Sequence, residues 1–268
     1  MDFLYSPFKI VGVYAQSIPT QIFGAIRLLF SVLYWIMIGP FRKKPISIKI
    51  TLDQMMFMGV RSIIIVSYVT LFTGIVLAMQ SAYQLEKLGA KIYVASLVGI
   101  SLVRELGPVL TALVVAGRVG AAITAEIGSM KATEQIEALE TMAINPVRFL
   151  VAPRFLALFF MLPCLTVVGD FVGIFGGYLI GVFNIGINSD LYINTTLQFL
   201  TLKDIYTGLS KSFVFAVIIS LIGCYQGLNT TGGAQGVGKS TTKSVVTSFI
   251  LIIFADCILT SIYYFIKF

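Results

Sequence analysis

Histidine is absent from the 268-residue chain. That absence removes imidazole general bases, Ser-His and Cys-His nucleophiles, and the commonest metal ligand. Charge is scarce too: Asp, Glu, Lys and Arg supply 12% of residues and hydrophobic types 57%. A soluble domain carries about 25% charged and about 45–50% apolar residues, so this chain has too little polar surface to cover a water-soluble globule. The bilayer is expected to be its outer solvent, with no separate soluble domain. Cys164, Cys224 and Cys257 each lie inside an apolar run. An odd count without CxxC spacing offers neither a disulfide framework nor a zinc site, and the three read as small apolar side chains. The chain does not open with a basic stretch, a short apolar core and a small-residue cleavage site. Its first membrane helix is therefore expected to act as the targeting signal.

What is present is a series of long apolar runs. A spanning helix needs about 20 mostly apolar residues. Val60–Met79, Ile92–Thr124, Phe155–Phe183, Phe213–Leu228 and Val245–Ile266 are read as five spans, with Leu209 and Lys211 extending the fourth. An earlier run, Ile22–Ile38, is interrupted by Arg27 and stopped by Gly39-Pro40, with Tyr34 and Trp35 near its end. It reads as a helix lying in the interface, a full span being the alternative. The fold class is all-α integral membrane. Residues 1–45 form an N-terminal interfacial, amphipathic segment, and residues 46–268 form the transmembrane domain.

The net charge of +7 is not gathered into the basic stripe that nucleic-acid binding needs. Placing the N-terminus inside puts twelve Lys and Arg residues on the inner side, from Lys9 to Lys243. Only Lys87, Lys91, Lys203, Lys211 and Lys267 fall outside. The positive-inside rule thus gives N-in, C-out. Lys131–Glu140 in the second inner loop is rich in helix formers and reads as a short polar helix stopped by Asn145-Pro146. It is either a solvated connector or a docking element for a soluble partner.

Arg104 and Glu105 fall inside the second span. Ionisable groups at membrane depth mark function or a wet cavity by default, snorkelling at the outer interface being the alternative. Pro108 leaves the Arg104 carbonyl without its helical donor and predicts a kink. Gly117 and Gly120 begin small-xxx-small series in the same span, and Gly169, Gly173, Gly177 and Gly181 form a glycine ridge in the third. Both predict close helix–helix approach, within the chain or across a dimer. Asp170 and Asp256 sit inside the third and fifth spans, with Arg104 or Arg118 as candidate counter-charges.

Gly233-Ala-Gln-Gly-Val-Gly-Lys-Ser240 matches the phosphate-binding pattern G-x-x-x-x-G-K-[ST] letter for letter. A phosphate loop works by following a buried strand and opening a soluble helix. Here membrane spans flank the segment on both sides. It reads as a flexible inner loop, with Ser240 or Thr241 capping the last helix.

Glu105-Leu-Gly-Pro108, Ala116-Gly-Arg-Val-Gly-Ala-Ala122, the run from Ala125 to Leu139 and the run from Asn145 to Arg154 together resemble the Mla/MCE-associated lipid ABC permease family of MlaE-like proteins. The resemblance covers the chain from about Ile50 onward. It implies an inner-membrane (plasma-membrane) homodimer bound to cytoplasmic ATPase subunits and to an outer-side MCE-domain partner that exchanges phospholipid. It also implies that Gln80, Arg104 and Glu105 lie near a lipid cavity between protomers. Glu126, Met130, Lys131, Glu134, Glu137 and Leu139 would couple to the ATPase. No cofactor or metal is expected on this chain, ATP being bound by the partner. The family loop before the last span carries Ala where this chain has Ser240, which makes the phosphate-loop match a decoy.

The leading expectation is therefore a lipid ABC permease that is not itself an enzyme. An ion-coupled secondary transporter using Asp170 and Asp256 is the alternative; it calls for internal repeats, which the sequence does not display. A lipid-modifying membrane enzyme lacks a nucleophile–base pair or metal cluster.

Overall fold

The computed structural model describes residues 23–39 and 46–265. The expectations resting on Lys9, Ile22, Arg42, Lys43, Lys44, Ile266 and Lys267 lie outside them. The described residues form a short apolar helix and five helices long and apolar enough to cross a membrane. The short one is α1 (Phe23–Ile38); the long ones are α2 (Ile48–Glu86), α3 (Lys91–Ala132), α5 (Val147–Phe183), α7 (Leu202–Leu228) and α8 (Gly233–Phe265). Two connecting helices complete the set, α4 (Gln135–Thr141) and α6 (Ser189–Phe199).

Local chemistry sets the helix starts. The Asn145 side chain accepts from the backbone N–H groups of Val147 and Arg148 at 3.0 and 3.2 Å, so the residue that closes the inner loop also opens α5. Asn188 caps α6 in the same manner. Thr201 and Asp204 form a reciprocal capping box at the start of α7. Two segments of α-helix widen to π-helix directly before an X-Pro pair: Leu102–Leu106 before Gly107-Pro108, and Val147–Val151 before Ala152-Pro153. A proline ring clashes with the carbonyl four residues back and offers it no donor, and the wider turn relieves both problems. A third π-turn, Ala116–Gly120, contains Arg118.

In packing, α2 lies along α5, both α3 and α5 flank α7, and α8 closes on α3 and α7. The glycine ridge of α5 is used inside the chain. A side chain at Gly74 of α2 would collide with the Gly173 backbone, and one at Gly176 with the Leu71 backbone. Further along, Gly177 and Gly181 seat the Tyr192 ring from α6, and a side chain at Gly169 would lie 3.1 Å from the Thr70 methyl. On α3, Gly120 approaches Ile219 of α7 and Gly117 approaches Phe249 of α8. Because lipid is as apolar as leucine, such backbone proximity is the main source of association energy between spans.

Burial is uneven: 56% of the apolar window of α7 is enclosed against 11% for α8. A polar side chain on α7 is therefore shut in by its neighbours, whereas α8 turns Ile250, Ile253, Phe254, Ile258 and Ile262 outward. The outward apolar residues suit a lipid solvent rather than water.

Both ends of α1 touch the same end of the bundle. Gly24 packs on Tyr225 near the end of α7, and Arg148 at the start of α5 sits 5.5 Å over the Trp35 ring. Its 16 residues at about 1.5 Å each are shorter than the hydrocarbon core.

Two expectations about the connecting segments need correction. Lys131–Glu140 is not one helix: α3 continues to Ala132, where the Thr133 hydroxyl donates back to the Ser129 carbonyl at 2.9 Å. Glu134 then adopts a left-handed conformation, with φ 58°, before α4 begins. The Gly233–Ser240 segment is likewise not a loop. Gly232 and Gly233, with φ of 89° and 64°, make the reversal that a side chain would oppose, and α8 starts there. Thr241 donates to Val237 within the helix instead of capping it. The N–H groups needed to cradle a phosphate are drawn into the helical ladder.

Candidate functional site

The polar centre of the bundle is built by α3, α7 and α8. Lys211 on α7 has no exposed side-chain surface. Its Nζ donates to Glu105 Oε2 in the π-turn of α3 and to Thr260 Oγ1 at 2.7 Å. It also forms an ion pair with Asp256 Oδ1 at 2.9 Å, too oblique for a hydrogen bond. The Thr260 hydroxyl donates in turn to Glu105, 3.2 and 3.3 Å from its two oxygens. Asp256 and Thr260 are four residues apart on α8, and so share a face.

Arg104 precedes Glu105 in the same π-turn and also reaches α7. Its Nη1 lies 3.8 Å from Asp204 Oδ1, while Asp204 Oδ2 accepts from the Thr201 N–H and hydroxyl at 3.0 and 2.7 Å. Two oppositely directed ion pairs, Glu105–Lys211 and Arg104–Asp204, thus join one turn of α3 to two turns of α7. The cluster holds one cation and two carboxylates around Lys211. Its Glu105 side chain retains 33% exposure and Arg104 38%, so both present a polar edge outside the closed pair.

Of the residues expected at a lipid cavity, Arg104 and Glu105 come together here. Gln80 lies on the exposed side of α2, away from the cluster's bonds. The arginines expected to neutralise the buried aspartates do otherwise: Arg118 donates to Ser62 Oγ and lies 5.8 Å over the Phe57 ring. Asp256 is served by Lys211. Asp170 sits against Gly107 of α3, with one buried oxygen lacking a hydrogen-bond partner. Lys211 and Thr260 were not singled out as site residues. The available signal was a lone lysine entering a span, with Asp256 and Thr260 at helical spacing in the last.

A second constellation lies around α4, at the opposite end of α3 from Lys91. Arg154, almost fully buried, donates to the Leu150 carbonyl at 2.8 Å and pairs with Glu126 Oε1 at 2.8 Å, tying α5 to α3. Lys131 pairs with Glu137, tying α4 back to α3. That hydrogen bond holds the Glu137 carboxyl below its usual range. Of the six residues expected to couple, Glu126 and Glu134 are exposed, Lys131 and Glu137 are half-buried, and Met130 and Leu139 pack against the core. Ile136 is buried and anchors α4, leaving Ala138, Glu140, Thr141 and Met142 on its outer side. Left-handed residues bracket the helix, Glu134 before it and Ala143 after it.

Among the described residues no group of His, Cys, Asp and Glu is arranged to hold a metal ion. Residues 51–262 match the family described as Permease MlaE. A probable ABC transporter permease protein of Rickettsia typhi is 43% identical over 234 residues, covering 87% of this chain and 90% of the relative. One from Synechocystis is 45% identical over 210 residues, covering 78% and 80%. The intermembrane phospholipid transport system permease protein MlaE of Haemophilus influenzae is 40% identical over 210 residues, again covering 78% and 80%.

Proposed function

The chain belongs to the MlaE permease family, and from that premise we propose that it is the permease subunit of an ABC transporter moving phospholipid or a related lipid between membranes. A separate cytoplasmic ATPase subunit supplies the energy, and an MCE-domain protein on the outer side receives or delivers the lipid. The working unit is a homodimer in a bacterial inner membrane, oriented N-in and C-out, with α1 at the inner interface. The family name of the Haemophilus relative supports phospholipid as cargo.

The observation that carries the reading on this chain is Lys211, enclosed between Glu105, Asp256 and Thr260 beside a proline-linked π-turn. Buried ion pairs add little stability over apolar packing, and π-turns of this kind are frequent at functional sites. Arg104 and Glu105 edge this cluster and, with Gln80, face the lipid path. Arg104 offers a cation to a phosphate and Glu105 a carboxylate to an amine.

Force enters at α4. The ATPase contacts the exposed Glu134 and Glu126, while Met130, Lys131, Glu137 and Leu139 hold α4 onto α3 and the core. Because α4 hangs between two left-handed residues, it moves as a unit. Lys131–Glu137 and Glu126–Arg154 pass that displacement to α3 and α5, and α3 carries it to Glu105. The ion-coupled alternative draws less support, since Asp256 already pairs with Lys211.

Affinity purification of the chain from native membranes, followed by mass spectrometry of bound proteins and lipids, tests the proposal. An ABC ATPase and phospholipid are expected in the eluate. Purified chain that moves lipid in proteoliposomes under an ion gradient, with no ATPase present, would overturn it.

A further inference from the structure

Between α5 and α6 lies a cavity of about 400 Å³ walled by Phe171, Phe175, Tyr178, Tyr192, Ile193 and Leu197. Two of its three polar side chains are already hydrogen-bonded. The Thr196 hydroxyl donates to the Tyr192 carbonyl at 2.9 Å, and the Tyr178 and Ser189 hydroxyls bond each other at 2.8 Å. The third, the Tyr192 hydroxyl, has no hydrogen-bond partner but is buried and turned toward Gly177 of the α5 ridge. What remains for an occupant is hydrocarbon wall. Phe171, Phe175, Ile193 and Leu197 are exposed, so the cavity opens onto the apolar surface that faces the bilayer. The lipid-covered surface therefore runs without interruption into the groove.

We propose that this groove holds a single acyl chain of a membrane phospholipid, at a site separate from the Lys211 cluster. Allowing roughly 30 Å³ for a water-sized group such as a methylene, the cavity takes about a dozen of them, the length of one fatty-acyl chain without its ends. Beyond Phe171 and Ile174 a smaller crevice of about 90 Å³ reaches Asp170. The unbonded Asp170 oxygen is a poor neighbour for a chain terminus, so the acyl chain stops short of that crevice.

The test uses the purified full chain in detergent micelles, with Trp35, the one tryptophan, changed to Phe. A reporter is placed in the groove (Phe175→Trp) or on the outer face of α8 (Phe254→Trp). Phosphatidylcholine brominated at mid-chain is then titrated in. Groove-reporter fluorescence is expected to fall and saturate at one lipid per chain, whereas the α8 reporter should fall in proportion to the lipid added. A second measurement leaves the chain unaltered: phosphatidylcholine with a mid-chain diazirine should label peptides holding Phe171–Tyr178 and Tyr192–Leu197 well above those holding Val246–Ile262. Equal, non-saturating quenching of the two reporters, even labelling of α5, α6 and α8, or cross-linking of α6 to another polypeptide would each overturn the assignment. These readouts need neither ATP nor transport, so they stand or fall independently of the permease reading.

Discussion

Replacing Lys211 with Met removes the one cation enclosed with Glu105, Asp256 and Thr260. Met matches the length of the lysine stem, so little packing is lost and the change isolates the charge. Two carboxylates are then left facing each other and Thr260 with no counter-ion. Breaking a buried ion pair by removing one partner costs about 3–5 kcal/mol. In a domain of this size, 1 kcal/mol shifts the melting temperature by about 2–4 °C, so the Lys211→Met protein should melt roughly 6–20 °C lower in detergent by intrinsic fluorescence. The control is the triple change Glu105→Leu, Lys211→Met, Asp256→Leu, which swaps the whole cluster for apolar side chains. Such replacements are often neutral, or stabilising by about 1–4 kcal/mol, and the triple variant should recover most of the melting temperature. Its lipid transport with the ATPase should nonetheless be lost. A Lys211→Met melting temperature equal to that of the unmodified chain would refute the enclosure of the charge. A stable triple variant that transports lipid normally would refute its functional role.

The other expectations test separate links. Glu134→Lys, at an exposed turn outside the core, should reduce ATPase co-purification while leaving stability within about 0.5 kcal/mol of unchanged; full retention of the ATPase would remove α4 from the coupling route. Gly74→Val forces a branched side chain against the Gly173 backbone and should destabilise by about 1–3 kcal/mol, whereas the same change at Gly238, which has open space around it, should be neutral or slightly stabilising, because valine is the better helix former. Asp204→Ala removes the α7 capping box and should cost about 0.5–2 kcal/mol, read as a lower melting temperature. Lys239→Ala and Ser240→Ala lie in the helical start of α8, and neither should alter the nucleotide affinity of the assembled transporter; tight ATP binding by the isolated chain, lost on Lys239→Ala, would contradict the helical reading.

Much of the architecture is set by the order of residues alone. Runs of apolar side chains near the thickness of the hydrocarbon core must cross it as helices, because no water is present there to satisfy a bare backbone. The five spans follow from Val60–Met79, Ile92–Thr124 and their successors, with structural ends that differ where caps or glycines extend a helix beyond its apolar stretch. The glycine spacing in α5 announced a tight contact. Which surface filled it depended on how α2 and α6 pack, and those rotations bring Gly74, Leu71 and Tyr192 onto the ridge. Arg104, Glu105, Asp170 and Asp256 were visible as charges at membrane depth. Their partners were not, because a pairing between helices far apart in sequence depends on rotation about each axis. The π-turn at Leu102–Leu106 alters that rotation through a backbone bond that composition does not encode. Lys211 opposite Glu105 and Asp256, the left-handed break at Glu134 and the helical start at Gly233 were decided in three dimensions, where each polar group takes the partner that packing brings within reach.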